Sequence, residues 1–198
     1  MSTLKNSINE GMLDSNKIIS NLLSEDKDLI KSTISEIKSE GDMSIVPLLF
    51  EVLKNPELNH SAEGAIATLL AEIKDPAFIP MLNEEINNLT DHPEAQAKLV
   101  RVCWESTMDF STMLPLLCDL AVKGSFVVAM EATTAIEEQI RFANHDMLHE
   151  LRESLLNSSQ ENSLFAEDIL ASIENALSNI HSHHEEHDDD CDCPECMA

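Results

Sequence analysis

The clearest indication of the fold is the segment Ala65-Ile-Ala-Thr-Leu-Leu-Ala-Glu-Ile-Lys-Asp-Pro-Ala-Phe-Ile-Pro-Met-Leu82. Aliphatic and small residues recur with the helical period up to Lys74. The pair Asp75-Pro76 then predicts a new helix, because aspartate caps free helix amides and proline suits the first helical position. Pro80 would lie one turn inside that helix, where its missing N–H predicts a kink. The stretch therefore predicts two helices joined by a tight corner.

The proline-bearing corner recurs along the chain, which indicates an internal repeat. The three copies are Ser44-Ile-Val-Pro-Leu-Leu49, Ala77-Phe-Ile-Pro-Met-Leu82 and Thr112-Met-Leu-Pro-Leu-Leu117. Their prolines are 33 and 35 residues apart, and a weaker copy without proline follows at residues 145–151. An aspartate stands shortly before each of the three copies, at Asp42, Asp75 and Asp109. We expect each aspartate to cap the helix that follows it.

Apolar residues with a 3.6-residue period predict a second helix after each proline-bearing helix. The four stripes are Ala62, Ala65, Ile66, Leu69, Leu70 and Ile73; Ala95, Leu99, Val102 and Cys103; Phe126, Ala129, Met130, Thr133, Ile136 and Ile140; and Ala166, Ile169, Leu170, Ile173, Ala176, Leu177 and Ile180. A further helix pair is predicted at residues 11–23 and 26–38. The chain has four glycines, no tyrosine and one tryptophan, a composition unsuited to a β-sandwich. The sequence therefore predicts an all-α fold.

The repeat resembles the short bacterial HEAT-like repeats, in which a helix of small residues ends before an acidic cap and a proline-bearing helix. The likeness covers about residues 12–180 and is clearest from Asp42 to Glu138. It implies a right-handed α-solenoid of about five antiparallel helix pairs, because a single pair cannot bury both of its faces. It also implies that the second helix of each pair lines the concave face. We expect a HEAT-like helical repeat domain at residues 1–180 and a disordered acidic tail at residues 181–198.

The net charge of −25 favours basic partners over acidic ones. Residues 181–198 hold seven acids and no lysine or arginine, which leaves thirty acids against twelve bases in the rest of the chain. Such a chain repels phosphate backbones, so nucleic acid is not an expected ligand. We expect a protein or peptide with a basic surface, and the alternative is that the charge serves solubility alone. The acids predicted to be exposed on the second helices are Glu63, Glu72, Glu94, Glu105, Glu131, Glu137, Glu138 and Glu167.

Cysteine and histidine crowd the C-terminal segment, and both side chains bind borderline and soft metals. Three thiols have a C-x-C-x-x-C spacing, at Cys191, Cys193 and Cys196, and Pro194 favours a turn among them. The histidines able to complete a tetrahedral site are His181, His183, His184 and His187. Zn²⁺ is the first candidate on ligand softness, and Ni²⁺, Co²⁺ and Cu⁺ stay open. The alternative is a solvated acidic tail without a physiological metal.

The remaining chemistry-bearing residues are predicted to have structural roles. Cys103 and Cys118 lie among apolar neighbours, where thiols are unreactive. His145 and His149 can share one helix face, which is compatible with a metal-ligand pair. No H-E-x-x-H signature accompanies them, so we predict a surface pair, and the metal role is the alternative. The methionines predicted to fill the core are Met43, Met81, Met108, Met113, Met130 and Met147. No phosphate-binding glycine loop, nucleophile motif or distinctive carboxylate pair occurs, so we do not expect an enzyme.

The sequence favours a soluble cytoplasmic protein, since we find no signal-peptide pattern, no apolar run near the ~20 residues of a membrane span and no spaced disulfide framework. The first functional hypothesis is a non-catalytic protein-protein interaction scaffold with a metal-binding tail. The alternative is a metal buffer, sensor or metallochaperone in which the tail carries the function. A third hypothesis is the HEAT-like family associated with phycobilisome lyases, which rests on repeat architecture alone because no pigment-attachment motif is present.

Overall fold

The structure is a computed structural model that describes residues 14–157 and 163–186, with side chains described over 14–157 and 165–180. These residues form ten α-helices and three short 3-10 turns, and no β-strand occurs among them. The predicted all-α class is therefore confirmed. The chain divides into two compact units, unit 1 at Met1–Thr107 and unit 2 at Met108–Ala198. None of the described helices combines the length and apolar content needed to cross a membrane.

Unit 1 contains six of the helices. They are α1 (Ser15–Leu22), α2 (Lys27–Glu40), α3 (Val46–Leu53), α4 (His60–Ala71), α5 (Phe78–Asn88) and α6 (Pro93–Glu105). The consecutive helices α1 and α2, α3 and α4, and α5 and α6 contact each other. Contacts also join α1 to α3, α2 to α4, and α4 to α6. Each of these helices therefore packs on its sequence partner, and α1, α2 and α4 also pack on the helix two positions further along the chain.

The three predicted capping aspartates make the same local hydrogen bond. Each carboxylate accepts from the backbone amide two residues later, and the pairs are Asp42 with Ser44 (2.8 Å), Asp75 with Ala77 (2.9 Å) and Asp109 with Ser111 (2.8 Å). This Asx turn satisfies an amide at the corner before each proline-bearing helix. Asp42 caps the short 3-10 turn Met43–Ile45, as predicted. Asp75 and Asp109 hold the turn before the helix and do not cap the helix itself, so the predicted helix cap is wrong at these two positions.

The helix at the second corner begins later than the sequence predicts. Asp75, Pro76 and Ala77 form a turn in which the Phe78 amide donates to the Asp75 carbonyl at 2.9 Å, and α5 starts at Phe78. Pro80 is therefore the third residue of α5. The first amides of a helix have no partner within it, so a proline there removes no helical hydrogen bond and the predicted kink is not required.

The core of unit 1 follows the repeat register. The residue two positions after each corner proline is buried, at Leu49 and Leu82. Phe78 is fully buried, and its ring lies 6.3 Å from that of Phe50 on α3. The small residues that open the second helices, Ala62 and Ala95, are buried as the stripes predict. The first and second helices of this unit thus share one apolar core.

Unit 2 contains the other four described helices. They are α7 (Leu114–Lys123), α8 (Phe126–Gln139), α9 (His145–Asn157) and α10 (Ser163–Glu186). The pairs α7 and α8, and α9 and α10, contact each other, and α7 also contacts α9 while α8 contacts α10. The buried Phe110 amide donates to Gln139 Oε1 at 2.8 Å, and Phe110 and Gln139 are both fully buried. This bond satisfies an amide that would otherwise be buried without a partner.

Candidate interaction surface

Helix α8 buries only part of the face that the sequence predicts, since Ala129, Thr133 and Ile136 of the predicted stripe are buried. The predicted stripe includes Phe126 and Met130, yet 70% of Phe126 and 46% of Met130 are exposed. The residues that α8 buries are Val128, Ala129, Ala132, Thr133, Ala135, Ile136 and Gln139. The prediction that Phe126 and Met130 belong to the core is therefore wrong. Among the other methionines predicted to fill the core, only Met113 is buried.

Because Phe126 and Met130 are exposed, α8 presents an apolar patch on unit 2. Phe126 and Met130 are one helical turn apart, so they share one face of α8. The ring of Phe126 also contacts that of Phe165 on α10, with centroids 5.9 Å apart and an angle of 50° between the planes. We call Phe126, Met130 and Phe165 the α8–α10 patch. An aromatic side chain as exposed as Phe126 is a typical anchor for a binding partner.

Acidic side chains continue the exposed face of α8 beyond the patch. Positions 126, 130 and 137 fall within a narrow arc at 100° per residue, and Thr133, which lies in the same arc between Met130 and Glu137, is buried. Glu137 and Glu138 are exposed, and so is Glu167 on α10. The α8–α10 patch therefore has an acidic neighbour on the same helix.

Unit 2 is much poorer in bases than in acids. Residues 108–198 hold nineteen Asp and Glu but only three Lys and Arg. Each of the three bases lies in an ion pair, Lys123 with Asp119, Arg141 with Glu138 (3.6 Å) and Arg152 with Glu174 (3.5 Å). Most acids of this unit have no basic residue of the unit to neutralise them, so its field is negative.

In unit 1, three acids of the predicted acidic face form ion pairs with lysine or arginine. Glu63 on α4 pairs with Lys98 on α6 at 3.2 Å, and Glu72 after α4 pairs with Lys38 on α2 at 2.6 Å. Glu105 lies 3.7 Å from Arg101 within α6. Two of these pairs connect neighbouring second helices, so the acids support the packing of unit 1. The excess of acids over bases that could attract a basic partner is therefore larger on unit 2 than on unit 1.

The predicted metal ligands lie at and beyond the end of α10. The backbone of His181, His183 and His184 belongs to this helix, which continues to Glu186. His187, Cys191, Cys193 and Cys196 lie outside the described residues. Among the described side chains, no group of three or more His, Cys, Asp or Glu is placed to hold a metal ion. The tail site remains a prediction from sequence.

The two cysteines of the helical body are buried and form no disulfide, as predicted. Burial raises the pKa of Cys103 to about 12. Burial, together with the nearby Asp119 carboxylate, raises the pKa of Cys118 to about 12 as well. At neutral pH both groups are thiols, which are poor nucleophiles and poor metal ligands.

Cysteine labelling tests whether the two thiols of the helical body are buried and unreactive. At pH 8, far below a pKa of about 12, we expect Cys103 and Cys118 to resist a thiol reagent in the folded protein. They should react when urea is added, since their thiolates form once burial is lost. A full-length variant with Cys191, Cys193 and Cys196 changed to serine isolates the two body thiols for mass spectrometry. Rapid labelling of this variant without urea would contradict the buried assignment.

His145 and His149 are closer than a surface pair requires. Their Nε2 atoms are 3.2 Å apart, and their ring centroids are 4.4 Å apart. Both residues are half-buried, and only 25% of the His145 side chain is exposed. The Nδ1 atom of His145 lies 3.7 Å from Asp146 Oδ1. The sequence predicts that the two rings share a face, but their mutual contact depends on side-chain rotamers that sequence does not show.

A cavity of about 450 Å³ in unit 1 has charged residues at its rim and apolar walls. The charged groups are used within the fold: Lys38 pairs with Glu72, Lys74 Nζ donates to Thr107 Oγ1 at 2.7 Å, and Asp42 accepts from the hydroxyl and amide of Ser44. These two hydrogen bonds lower the pKa of Asp42. The cavity therefore offers apolar contact area rather than an acid–base pair poised for catalysis.

No protein-family model matches the chain, and neither the curated proteins nor the solved structures contain a significant match to it.

Proposed function

We propose that this chain is a non-catalytic interaction scaffold whose unit 2 binds a basic, partly apolar protein or peptide. The observation that carries the proposal is the exposed face of α8, where Phe126 and Met130 lie in line with Glu137. A basic amphipathic segment matches this face, because its apolar side chains can cover Phe126 while its lysines or arginines meet the acids. The aromatic anchor would supply affinity, and the charges would supply attraction and register.

We propose HEAT-like repeats as the architecture of this scaffold. Three lines support the proposal: the recurrent proline corners, the Asx turns at Asp42, Asp75 and Asp109, and the contacts between alternate helices within each unit. The right-handed solenoid of about five antiparallel pairs is the arrangement that such repeats favour. In repeat proteins of this kind the second helices commonly carry the binding face, and α8 is a second helix.

Charge reversal on α8 is the experiment that tests the acidic surface. The probe is a synthetic peptide of alternating lysine and leucine, and binding is followed by stopped flow with the full-length protein. We expect Glu137→Lys with Glu138→Lys to lower the association rate at least about tenfold at low salt. High salt should reduce the difference, because it screens exposed charges.

The matched control carries the same charge change on unit 1, through Glu57→Lys and Glu84→Lys, which replace two exposed acids. This control should lower the association rate much less. Equal effects of the two double variants would show that net charge, not the surface on α8, attracts the peptide. That result would contradict the proposal.

A metal buffer, sensor or metallochaperone is the second proposed function, and it is favoured by the Cys and His content of residues 181–198. Thiolate and imidazole are the ligands that Zn²⁺ prefers in proteins. In this proposal the helical body docks the protein on its client while the tail holds or delivers the ion. Elemental analysis of protein purified without added metal or affinity resin tests this function, because it requires stoichiometric metal that is lost when Cys191, Cys193 and Cys196 are changed to serine.

A further inference from the structure

We propose that His145 and His149 form a two-imidazole clamp for a borderline divalent cation such as Zn²⁺. This site is separate from the residues of the tail, and it does not depend on the peptide surface of α8. It lies on the first two turns of α9, where the i, i+4 spacing places both side chains on one face of the helix. The site replaces the simple surface pair that the sequence predicts.

The separation of the ring nitrogens fits a shared ion. Zinc binds imidazole nitrogen at about 2.0–2.1 Å, so two nitrogens in a tetrahedral shell are about 3.3 Å apart. The Nε2 atoms of His145 and His149 are 3.2 Å apart. Two rings that point at one ion have centroids about 5 Å apart, and those of His145 and His149 are 4.4 Å apart, so the rings would turn slightly away from each other to bind it. Two neutral rings in this contact can share one hydrogen bond, which an ion would replace with two coordination bonds.

The orientation of His145 supports the same assignment. Its Nε2 faces His149, and its Nδ1 lies 3.7 Å from the carboxylate of Asp146. Metal-bound histidines commonly donate the second ring N–H to a carboxylate, which orients the ring. Asp146 is the nearest candidate for this role, and it would have to move closer than 3.7 Å to accept the hydrogen bond. The half-buried position of both rings also limits their rotamers, so less side-chain entropy is lost on binding.

The clamp lies close to the part of α10 that leads into the Cys and His segment. Ala143 and Leu148 line one cavity together with Ala176, Asn179 and Ile180. The start of α9 is therefore beside the last described side chains of α10. His145 and His149 could bind an ion near the point where residues 181–198 begin, so the test must separate the two sets of ligands.

The test uses a full-length variant, called the tail-substituted variant, that has no metal ligands of these types in residues 181–198. It carries glutamine at the four histidine positions and serine at the three cysteine positions of the tail. Of the eight histidines of the chain, only His60, His92, His145 and His149 then remain. Zn²⁺ is titrated by calorimetry, and ¹⁵N–¹H spectra of the imidazole rings report which nitrogens it binds.

We expect this variant to bind one Zn²⁺, with shifts of the Nε2 resonances of His145 and His149. In the same background, His145→Gln or His149→Gln should weaken binding at least about tenfold, since loss of an outer-shell partner alone costs 10–100-fold. Glutamine suits a helix, and far-UV circular dichroism checks that α9 is kept. His60→Gln is the matched control, because His60 is fully exposed, and it should leave the affinity unchanged.

Three results would overturn the clamp. The first is the absence of Zn²⁺ binding by the tail-substituted variant. The second is binding that shifts the rings of His60 or His92 and leaves those of His145 and His149 in place. The third is equal affinity for the His145→Gln and His60→Gln variants. None of these results bears on whether the tail binds metal in the natural chain, so failure of the clamp and failure of the tail are distinguishable.

Discussion

Replacing Phe78 with alanine is expected to lower the free energy of unfolding by about 3–5 kcal/mol, the usual cost of truncating a buried phenylalanine. Phe78 is fully buried at the start of α5, and its ring contacts Phe50 on α3. Truncation removes apolar burial and leaves a cavity between two helices that close-packed neighbours fill only in part. Because Phe78 also opens the helix after the Asp75 turn, the surrounding backbone has little freedom to collapse into the space.

The single tryptophan makes this loss measurable in unit 1. Trp104 lies half-buried on α6, and the chain has no tyrosine, so tryptophan fluorescence reports the unfolding of that unit. Urea unfolding followed at this signal should show the midpoint of Phe78→Ala lowered by more than about 1 M. Circular dichroism, which sums all helices, reports whether unit 2 unfolds in the same transition.

Phe126→Ala is the matched control, because it makes the same substitution at a residue that is 70% exposed. We expect a change in the free energy of unfolding within about 0.5 kcal/mol. The same variant should weaken binding of the lysine–leucine peptide by about 2 kcal/mol if Phe126 is an anchor, which is roughly thirtyfold. Comparable destabilisation by the two alanines would contradict the burial difference between them.

Local features of the fold could be predicted from the sequence. The corner aspartates and the periods of most second helices depend on neighbouring residues, and they lie where the sequence predicts. The stripe Ala95, Leu99, Val102 and Cys103 is buried throughout. The start of α5 was missed by two residues because Asp75-Pro76 fits both a helix cap and a turn. Only the position of the Phe78 amide, bonded to Asp75, decides between them.

The candidate surface could not be predicted, because α8 carries two overlapping apolar stripes. One contains Phe126 and Met130, and the other contains Val128, Ala132 and Ala135, with the same period. Hydrophobicity favours the larger side chains, but small residues let α7 and α8 approach closely, and packing buries the alanine face. Sequence rules that favour large apolar residues for the core therefore fail on this helix, where close packing of small residues leaves larger apolar residues exposed.

Changing Cys191, Cys193 and Cys196 to serine is expected to lower the affinity of the full-length protein for Zn²⁺ at least about hundredfold. Structural zinc sites contribute about 10–16 kcal/mol in small peptides, and thiolates are their strongest protein ligands. Serine keeps the size of the side chain but cannot supply a thiolate. Chelator competition under reducing conditions measures the affinity, and Co²⁺ substitution should show a thiolate charge-transfer band that the serine variant lacks.

The matched control for this prediction changes Asp188, Asp189 and Asp190 to asparagine. It removes three negative charges from the same segment and keeps every cysteine and histidine, so the affinity should fall much less. An equal loss in both variants would assign the binding to acidity rather than to thiolate ligation. If serine leaves the affinity unchanged while His145→Gln abolishes binding, the clamp on α9 holds the metal and the tail does not. The two substitutions together therefore decide which part of the chain carries the metal chemistry.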